Sequence, residues 1–441
     1  MTRRREIQAV EGEPVKGLSP SETRDLNRAR EELNGRLRPT LPLFQDTAKG
    51  VVPTNIVGTV KLNASTVIRI RPKVGQGDDW MAAALDLMVP ERATFAGHRH
   101  ARRGARKRSL EAGLAAIYND RLGRALRTDG PIEVTHSEFA FSGSLDGQLD
   151  VERWLLGKSM REIAFPVQRT VLDADNEFTE ALAFAAALLS RSAGGGPLRS
   201  SLSKLAQEIR PGLPAVMSVD PGIIGRPLPQ QWSRYQEAWS IAQVVLDSAS
   251  FSAQQGRLAG VEVALEPWKL LEELLDRSLN ELVRHLRTEH VLWTNSRQEK
   301  FAILRREGIA GGPLSRLVGH RFAKPENVLT SPNGTVATFE AKYSRPGGPR
   351  AIRGHMYQAI VAAAYARSPI AVLVYPELAQ PVHWRTANDR TAVRDVWAIG
   401  LDLFGYSSRV GLQERANTLR QILCPSSSSA IEPGISSATE A

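Results

Sequence analysis

The segment from Trp268 to Leu403 restricts the possible folds most, because its hydrophobic pattern changes from helical to strand-like several times. Leucines recur at helical spacing from Trp268 onward, which predicts a long amphipathic helix with the apolar residues Leu270, Leu271, Leu274, Leu275, Leu279 and Leu282. Two strands, a helix and further strands are then predicted, in the order ENVLT, TVATFEAKY, HMYQAIVAAAYA, IAVLVYP and VRDVWAIGLDL. A wholly apolar strand such as IAVLVYP is buried on both faces. The segment therefore predicts an α/β domain with a buried central strand.

The rest of the chain divides into further predicted units, so that the fold class is an α+β multidomain chain. An N-terminal arm is predicted for residues 1–50, where a charged helix is followed by Pro39 and Pro42. A mixed β/α domain for 51–160, a helical linker domain or middle layer for 161–260, and an α/β domain for 261–405 follow. Residues 406–441 form a C-terminal extension, whose serine-rich end is predicted to be disordered.

Charge and composition narrow the classes of function. The formal net charge of +10 favours polyanionic partners, and ten basic residues against four acidic ones lie between Glu91 and Asp129. The single cysteine, Cys424, excludes a disulfide scaffold and a multi-cysteine zinc site. No apolar run approaches the roughly 20 residues of a membrane span, so we expect a cytoplasmic protein that does not bind membranes.

Three charged residues of the predicted α/β domain form a pattern with chemical meaning. Glu340 and Lys342 stand two residues apart near the end of a strand, so their side chains project from the same face, and a hairpin brings Glu326 beside them. Two carboxylates can hold Mg²⁺, which stabilises the charge that develops during phosphodiester hydrolysis. An amine can orient the attacking water or stabilise the transition state. A solvated Glu–Lys pair on a surface strand is the alternative, and the preceding Pro325 and the following helix favour the site.

This arrangement resembles the PD-(D/E)xK nuclease superfamily, with Pro325-Glu326 followed by Glu340-Ala341-Lys342. The resemblance implies a restriction-endonuclease-like domain and suggests two further residues. Glu272 stands where a third metal-binding acid is often found, although a solvated helix face is an equal alternative. Gln358 stands where a glutamine often contacts the site. For Tyr365, on the same helical face as Gln358, we expect plain core packing.

Several segments in order resemble one family, McrC, the nuclease subunit of modified-cytosine-dependent restriction systems of the McrBC type. The similarity spans about residues 51–402, and the segments that carry it are IVGTVKLNASTVIRIRPKVG with Pro72 and Lys73, SGSLDGQLDVERWL with Gly143, Leu145 and Asp146, FPVQRTVLDADNEFTEALAFAAALL with Asp173 and Asn176, EPWKLLEELL with Trp268, Leu270 and Glu272, and then PENVLT, TFEAKYS and MYQAIVAAAYA.

The resemblance implies a Mg²⁺-dependent DNA endonuclease of antiviral defence that acts with a separate AAA+ GTPase hexamer, McrB. It implies that Glu326, Glu340, Lys342 and Gln358 are catalytic and that Glu326, Glu340 and Glu272 hold the metal. Residues 51–160 would then bind the partner. The chain has no G-x-x-x-x-G-K-[ST] phosphate loop, so nucleotide hydrolysis is expected of the partner. The alternatives are a non-catalytic adaptor that stimulates an AAA+ ring, with a degenerate nuclease domain, and an unrelated basic DNA-binding protein.

The sequence departs from the family pattern at three positions. Glu326 replaces the usual aspartate, Ala362 replaces a tyrosine four residues after Gln358, and Glu177 replaces a basic residue. The basic loop 97–108 has three possible roles: DNA contact, entry into the pore of a partner ring, or a solvated charged loop. Its candidate nucleic-acid-binding residues are Arg99, Arg102, Arg103, Arg106, Lys107 and Arg108.

Overall fold

A computed structural model describes most of the chain, and it shows a mixed α/β protein with several sheets. The described residues are 5–37, 39, 41–63, 65–74, 80–88, 110–156, 164–192, 196–253, 264–304, 321–345, 348–377, 380–387, 391–405 and 409–424. The basic loop 97–108 and the serine-rich end lie outside these ranges, so the predictions for them remain predictions.

The first domain is built on a small four-stranded sheet, in which the strands lie in the order Arg5–Val10, Thr66–Arg71, Val57–Lys61 and Ala264–Leu265. Its strands and helices are β1 (Arg5–Val10), α1 (Pro20–Leu37), β2 (Phe44–Thr47), β3 (Gly50–Pro53), β4 (Val57–Lys61), β5 (Thr66–Arg71) and α2 (Trp80–Met88). The prediction that residues 1–50 form an arm outside the core is wrong. β1 pairs in parallel with β5, and Leu26 of α1 is fully buried. The sequence did not indicate this, because α1 is mostly charged and its apolar face is narrow. Its residues Leu26, Ala29 and Leu33 are buried by packing against the sheet.

Helices dominate the middle of the chain, next to one long hairpin. The elements are α3 (Leu110–Asp129), β6 (Val134–Ser142), β7 (Gln148–Leu149), α4 (Val151–Leu156), β8 (Phe165–Asp173), α5 (Glu177–Ser192), α6 (Pro197–Glu208) and α7 (Gln236–Ala253). Asn176 caps α5, since its side-chain oxygen accepts from the amides of Phe178 and Thr179 at 3.1 Å each. β6 pairs along its whole length with β8 in a three-stranded antiparallel sheet with the order β6-β8-β7, and we call the β6–β8 pair the long hairpin.

The last part of the chain forms a six-stranded mixed sheet with the order β10-β13-β14-β15-β17-β16. The helices and strands of this part of the chain are β9 (Ala264–Leu265), α8 (Pro267–Thr288), β10 (Thr294–Arg297), β11 (Phe301–Leu304), β12 (Arg321–Ala323), β13 (Asn327–Ser331), β14 (Gly334–Ala341), α9 (Gly348–Tyr365), β15 (Ile370–Tyr375), β16 (Val382–Arg385), β17 (Asp395–Gly400) and α10 (Arg409–Leu423). Strands β9, β11 and β12 lie outside this sheet, since β9 joins the first domain and β11 pairs with β12.

Side chains of the central strand β15 alternate between two cores. Val372 and Val374 join the large core that contains the leucines of α8, whereas Ala371 and Leu373 join a smaller core with Ala359 of α9. This alternation follows from the two-residue period of a strand and confirms that the apolar strand is buried on both faces. On the neighbouring strand β14, Phe339 belongs to the core on the α8 side of the sheet. Glu340 is the next residue of that strand, so its side chain points to the α9 side.

The position of Tyr365 on α9 differs from the prediction. Tyr365 is 45% exposed, so the expectation of core packing is wrong; the helix is amphipathic and Tyr365 follows Tyr357 and Val361 on its solvent side. In the parts of the chain that the structure describes, no helix combines the length and apolarity needed to cross a membrane.

Candidate functional site

The centre of the candidate site is a hydrogen-bonded set of three side chains, Glu340, Lys342 and Gln358. The Nζ atom of Lys342 donates to Oε1 of Glu340 at 2.6 Å and to Oε1 of Gln358 at 2.9 Å, and Nε2 of Gln358 donates to the same Glu340 oxygen. Glu340 is 3% exposed. Position in the fold explains the contact, because Glu340 points from β14 toward α9, which carries Gln358.

Glu326 reaches this centre from the adjacent strand, as the sequence pattern predicts. Its backbone amide donates to the carbonyl oxygen of Phe339 at 3.0 Å, immediately before β13 begins to pair with β14. The negative charge of Glu326 contributes to a raised pKa of Glu340, although burial is the larger cause and Lys342 opposes both. Glu326 and Glu340 therefore lie close enough to influence each other electrostatically.

Glu272 of α8 is the third carboxylate of the cluster and lies on a buried part of the helix, with 9% of its surface exposed. The pKa of Glu272 is raised to about 8, mainly by burial and also by the charge of Glu326, a hydrogen bond to Glu326 and the charge of Glu340, against the lowering effect of Arg297. The sequence left two interpretations of Glu272, a metal-binding acid and a residue on a solvated helix face. The burial of Glu272 disagrees with a solvated helix face.

The stability of the metal-free protein is expected to fall as the pH rises from about 4.5 to about 8, the range between the ordinary and the raised pKa of Glu272. Between these values the folded state binds more protons than the unfolded state, so each increase in pH favours unfolding. Replacing Glu272 with glutamine should flatten this dependence and raise the melting temperature at pH 8 by several degrees. Thermal unfolding across this pH range, in the presence of a chelator, measures it.

The matched control for that experiment is Glu299→Gln, which makes the same change at an exposed position. The control should keep the pH dependence of the unmodified chain. If the melting temperature of Glu272→Gln depends on pH as steeply as that of the unmodified chain, the raised pKa of Glu272 is contradicted.

The carboxylate oxygens of the cluster are the kind of donor that a divalent cation such as Mg²⁺ prefers. Oε2 of Glu340 is buried and has no hydrogen-bond partner, and three carboxylates share the region with one lysine amine. Within the described ranges, no group of three or more His, Cys, Asp or Glu side chains has the geometry of a complete metal site. Since Mg²⁺ keeps several of its waters, Glu340 and Glu326 with Glu272 nearby suffice as candidate ligands.

A cavity of about 300 Å³ opens beside Glu340 and Gln358. Its wall includes Ala362, the position where the family pattern has a tyrosine, and the exposed ring of Tyr357. A tyrosine at position 362 would add its ring to this wall, so the alanine enlarges the space next to the carboxylates.

Two residues near the centre were not identified from the sequence. His355 lies one helical turn before Gln358, and its Nδ1 atom forms a hydrogen bond with the hydroxyl of Tyr375 at 3.1 Å. Burial and the charge of Lys342 lower the pKa of His355. Tyr343, directly after Lys342, contacts the first domain. Spacing on α9 could have indicated His355, because residues i and i+3 share a helical face.

Comparison with known proteins agrees with the ordered motifs. The family "McrBC 5-methylcytosine restriction system component" matches residues 51–376. No curated protein matches the chain. A refined half-complex from a tetradecameric assembly of Thermococcus gammatolerans McrB AAA+ hexamers with bound McrC contains a similar chain, with a TM-score of 0.65 and 14% identity over 95% of this chain and 100% of that one. The cryo-EM structure of the Thermococcus gammatolerans McrBC complex gives a TM-score of 0.50 and 13% identity over 63% and 88%.

The mixed sheet, the clustered carboxylates and these matches define a component of a restriction system. The chain belongs to the McrBC 5-methylcytosine restriction system component family, since the match covers well over half of its length. This confirms the McrC resemblance seen in the ordered motifs, and the two solved structures show that the fold is shared.

Proposed function

We propose that the chain is the DNA-cleaving, McrC-type subunit of a restriction system that acts in the cytoplasm on foreign or modified DNA. The observation that carries this proposal is the contact of Lys342 with Glu340 and Gln358, beside Glu326 and Glu272. The six-stranded sheet would then be a PD-(D/E)xK nuclease domain, with Pro325-Glu326 and Glu340-Ala341-Lys342 as its signature. Magnesium is the proposed cofactor, bound by Glu326 and Glu340 with help from Glu272.

The residues of the site would divide the work of phosphodiester hydrolysis. Bound Mg²⁺ supplies positive charge for the oxygens on which negative charge develops and lowers the pKa of water. Lys342, held by Glu340 and Gln358, presents an amine that can orient the attacking water or neutralise charge on the phosphate. Gln358 keeps Lys342 in place, since it accepts from the amine and donates to the carboxylate. Burial of Glu340 keeps water from competing with these contacts.

An AAA+ GTPase of the McrB type is the proposed partner, because the similar solved structures hold McrB AAA+ hexamers together with McrC. The surface that fits a partner is the long hairpin, on which Phe139, Phe141 and Leu172 are 39%, 69% and 62% exposed. These three lie on one face, since alternate residues of a strand and directly paired residues share a face. Several large apolar side chains exposed on one face are typical of an interaction site.

DNA cleavage is expected when the protein is mixed with Mg²⁺ and with an AAA+ GTPase of the McrB type, because the ring would bring DNA to the carboxylate cluster. Conversion of supercoiled plasmid to nicked and linear forms on a gel measures it. Chelation of the metal should abolish cleavage, and adding Mg²⁺ back should restore it. Cleavage that persists in excess chelator would contradict the proposed metal-dependent mechanism.

A non-catalytic adaptor is the second candidate function, and two observations favour it. Glu326 replaces the family's aspartate, and Ala362 replaces the family's tyrosine. An adaptor would stimulate nucleotide hydrolysis by the ring and leave plasmid DNA intact under every metal condition. The plasmid assay with a parallel measurement of GTP hydrolysis therefore separates the two functions.

A further inference from the structure

A buried polar contact joins the first domain to the residue that follows Lys342. The hydroxyl of Tyr343 donates to Oε2 of Glu11 at 2.8 Å, although the two residues are 332 positions apart in the chain. The Nζ atom of Lys73 lies 4.9 Å from the centre of the Tyr343 ring and 3.5 Å from Oε1 of Glu11. We call Glu11, Lys73 and Tyr343 the interdomain clamp.

The first domain holds its half of the clamp rigidly. Glu11 follows β1, where its amide donates to the carbonyl oxygen of Arg71 at 2.8 Å and continues the pairing with β5. Its side chain is 0% exposed, and Oε2 also accepts from the backbone amide of Lys73 at 3.3 Å. A carboxylate that is desolvated and bonded in this way has one position, so it offers Tyr343 a fixed anchor.

The other half of the clamp lies on the short segment that carries Lys342. The Lys342 amide donates to the carbonyl oxygen of Val374 at 2.8 Å, and the Ser344 amide donates to the carbonyl oxygen of Lys342 at 2.8 Å. The second of these bonds closes a γ-turn with Tyr343 at its centre. The side chains of Lys342 and Tyr343 have different partners, so Tyr343 can be held from the first domain while Lys342 contacts Glu340 and Gln358.

Resting on the proposed function, we propose that Glu11 and Lys73 are positioning residues for Lys342 and act on it through Tyr343. The first domain thereby sets the place of the amine in the nuclease site, and a displacement of that domain by a partner changes the geometry of cleavage. The hydroxyl of Tyr343 is the single atom through which this effect passes to Glu11.

Replacing Tyr343 with phenylalanine removes this hydroxyl and keeps the ring over which Lys73 lies. We expect kcat for plasmid cleavage by the complete complex to fall about ten- to a hundredfold, because small displacements of a catalytic group have effects of this size. The KM for DNA, GTP hydrolysis by the ring and the melting temperature should stay close to those of the unmodified complex. The matched control is Tyr365→Phe, which makes the same change on the exposed side of α9 and should leave kcat unchanged.

A second pair of variants tests whether the effect passes through Glu11. Glu11→Gln keeps an oxygen that can accept from Tyr343 and should retain more activity than Glu11→Ala. The double variant Tyr343→Phe with Glu11→Ala should be no slower than the slower single variant, since both changes break one contact. Additive losses, or a Tyr343→Phe variant with an unchanged kcat, would overturn the clamp.

The same assays distinguish failure of the clamp from failure of the proposed function. If the unmodified complex cleaves DNA, Glu340→Ala does not, and Tyr343→Phe cleaves as fast as the unmodified complex, only the clamp is wrong. If the unmodified complex does not cleave, or Glu340→Ala still does, the proposed function is wrong and the clamp is refuted with it. A loss of kcat that is matched by an equal loss of folded protein would assign Tyr343 to stability alone and would also refute it.

Discussion

Replacing Glu340 with glutamine, or Lys342 with alanine, is expected to lower the rate of DNA cleavage at least about a thousandfold. Glu340 is a candidate ligand with an unpartnered buried oxygen, and a metal contributes several kcal/mol of charge stabilisation to a phosphoryl transition state. Lys342 is the one amine that the structure places in contact with both Glu340 and Gln358 among the described residues. Plasmid cleavage by the complete complex in Mg²⁺ measures both rates.

Folding should survive these changes, so that the loss can be assigned to chemistry. Glutamine at position 340 keeps the shape of the side chain and an oxygen that can accept from Lys342, whereas alanine would leave that amine with Gln358 as its remaining partner. The matched control is Glu414→Gln, an exposed position on α10 far along the chain from the site. Undiminished metal-dependent cleavage by both site variants would refute the nuclease assignment.

Replacing Phe141 and Leu172 with serine is expected to weaken binding of the AAA+ partner strongly. Both side chains are mostly exposed on the hairpin, so they stabilise the chain itself little, and large apolar side chains at the centre of an interface contribute about 2 kcal/mol or more each. Each change should then raise the Kd about thirtyfold. Titration of the GTPase with the variants, followed by the stimulation of GTP hydrolysis, measures the effect.

The control for the hairpin is Leu292→Ser, because Leu292 is equally exposed at 62% and lies between α8 and β10. It should bind and stimulate the ring like the unmodified chain. Equal stimulation by the hairpin variants and the control would place the partner interface elsewhere, and the basic segment 97–108 would become the next candidate.

The elements that the sequence predicts well are those with a strong local period. The leucines of α8 recur every three or four residues, and all six named from the sequence are buried. β15 is apolar throughout and is buried on both sides. β10 and β16 were missed, because their residues are mostly exposed and polar and they form only by pairing with β13 and β17 at the edges of the sheet.

Local spacing also determined the centre of the candidate site. The two-residue spacing of Glu340 and Lys342 places both on one face of β14, and the turn between β13 and β14 brings Glu326 alongside. The structure brings these residues together with Gln358 and Glu272, and the catalytic and metal-binding roles remain predictions for the experiments above. The burial of Glu272 was undecided from the sequence, because charged residues on either side of it resemble a solvated face.

The helices and strands with a strong local period, the Glu–x–Lys spacing and the family motifs were already determined by the sequence, because each depends on neighbouring residues whose geometry repeats with a helix or a strand. Only the tertiary structure decided that the first fifty residues help to form a core, that Glu272 is buried and that Glu11 contacts Tyr343. These contacts join residues far apart in the chain, and their free energy depends on how the domains exclude water from one another rather than on any local pattern.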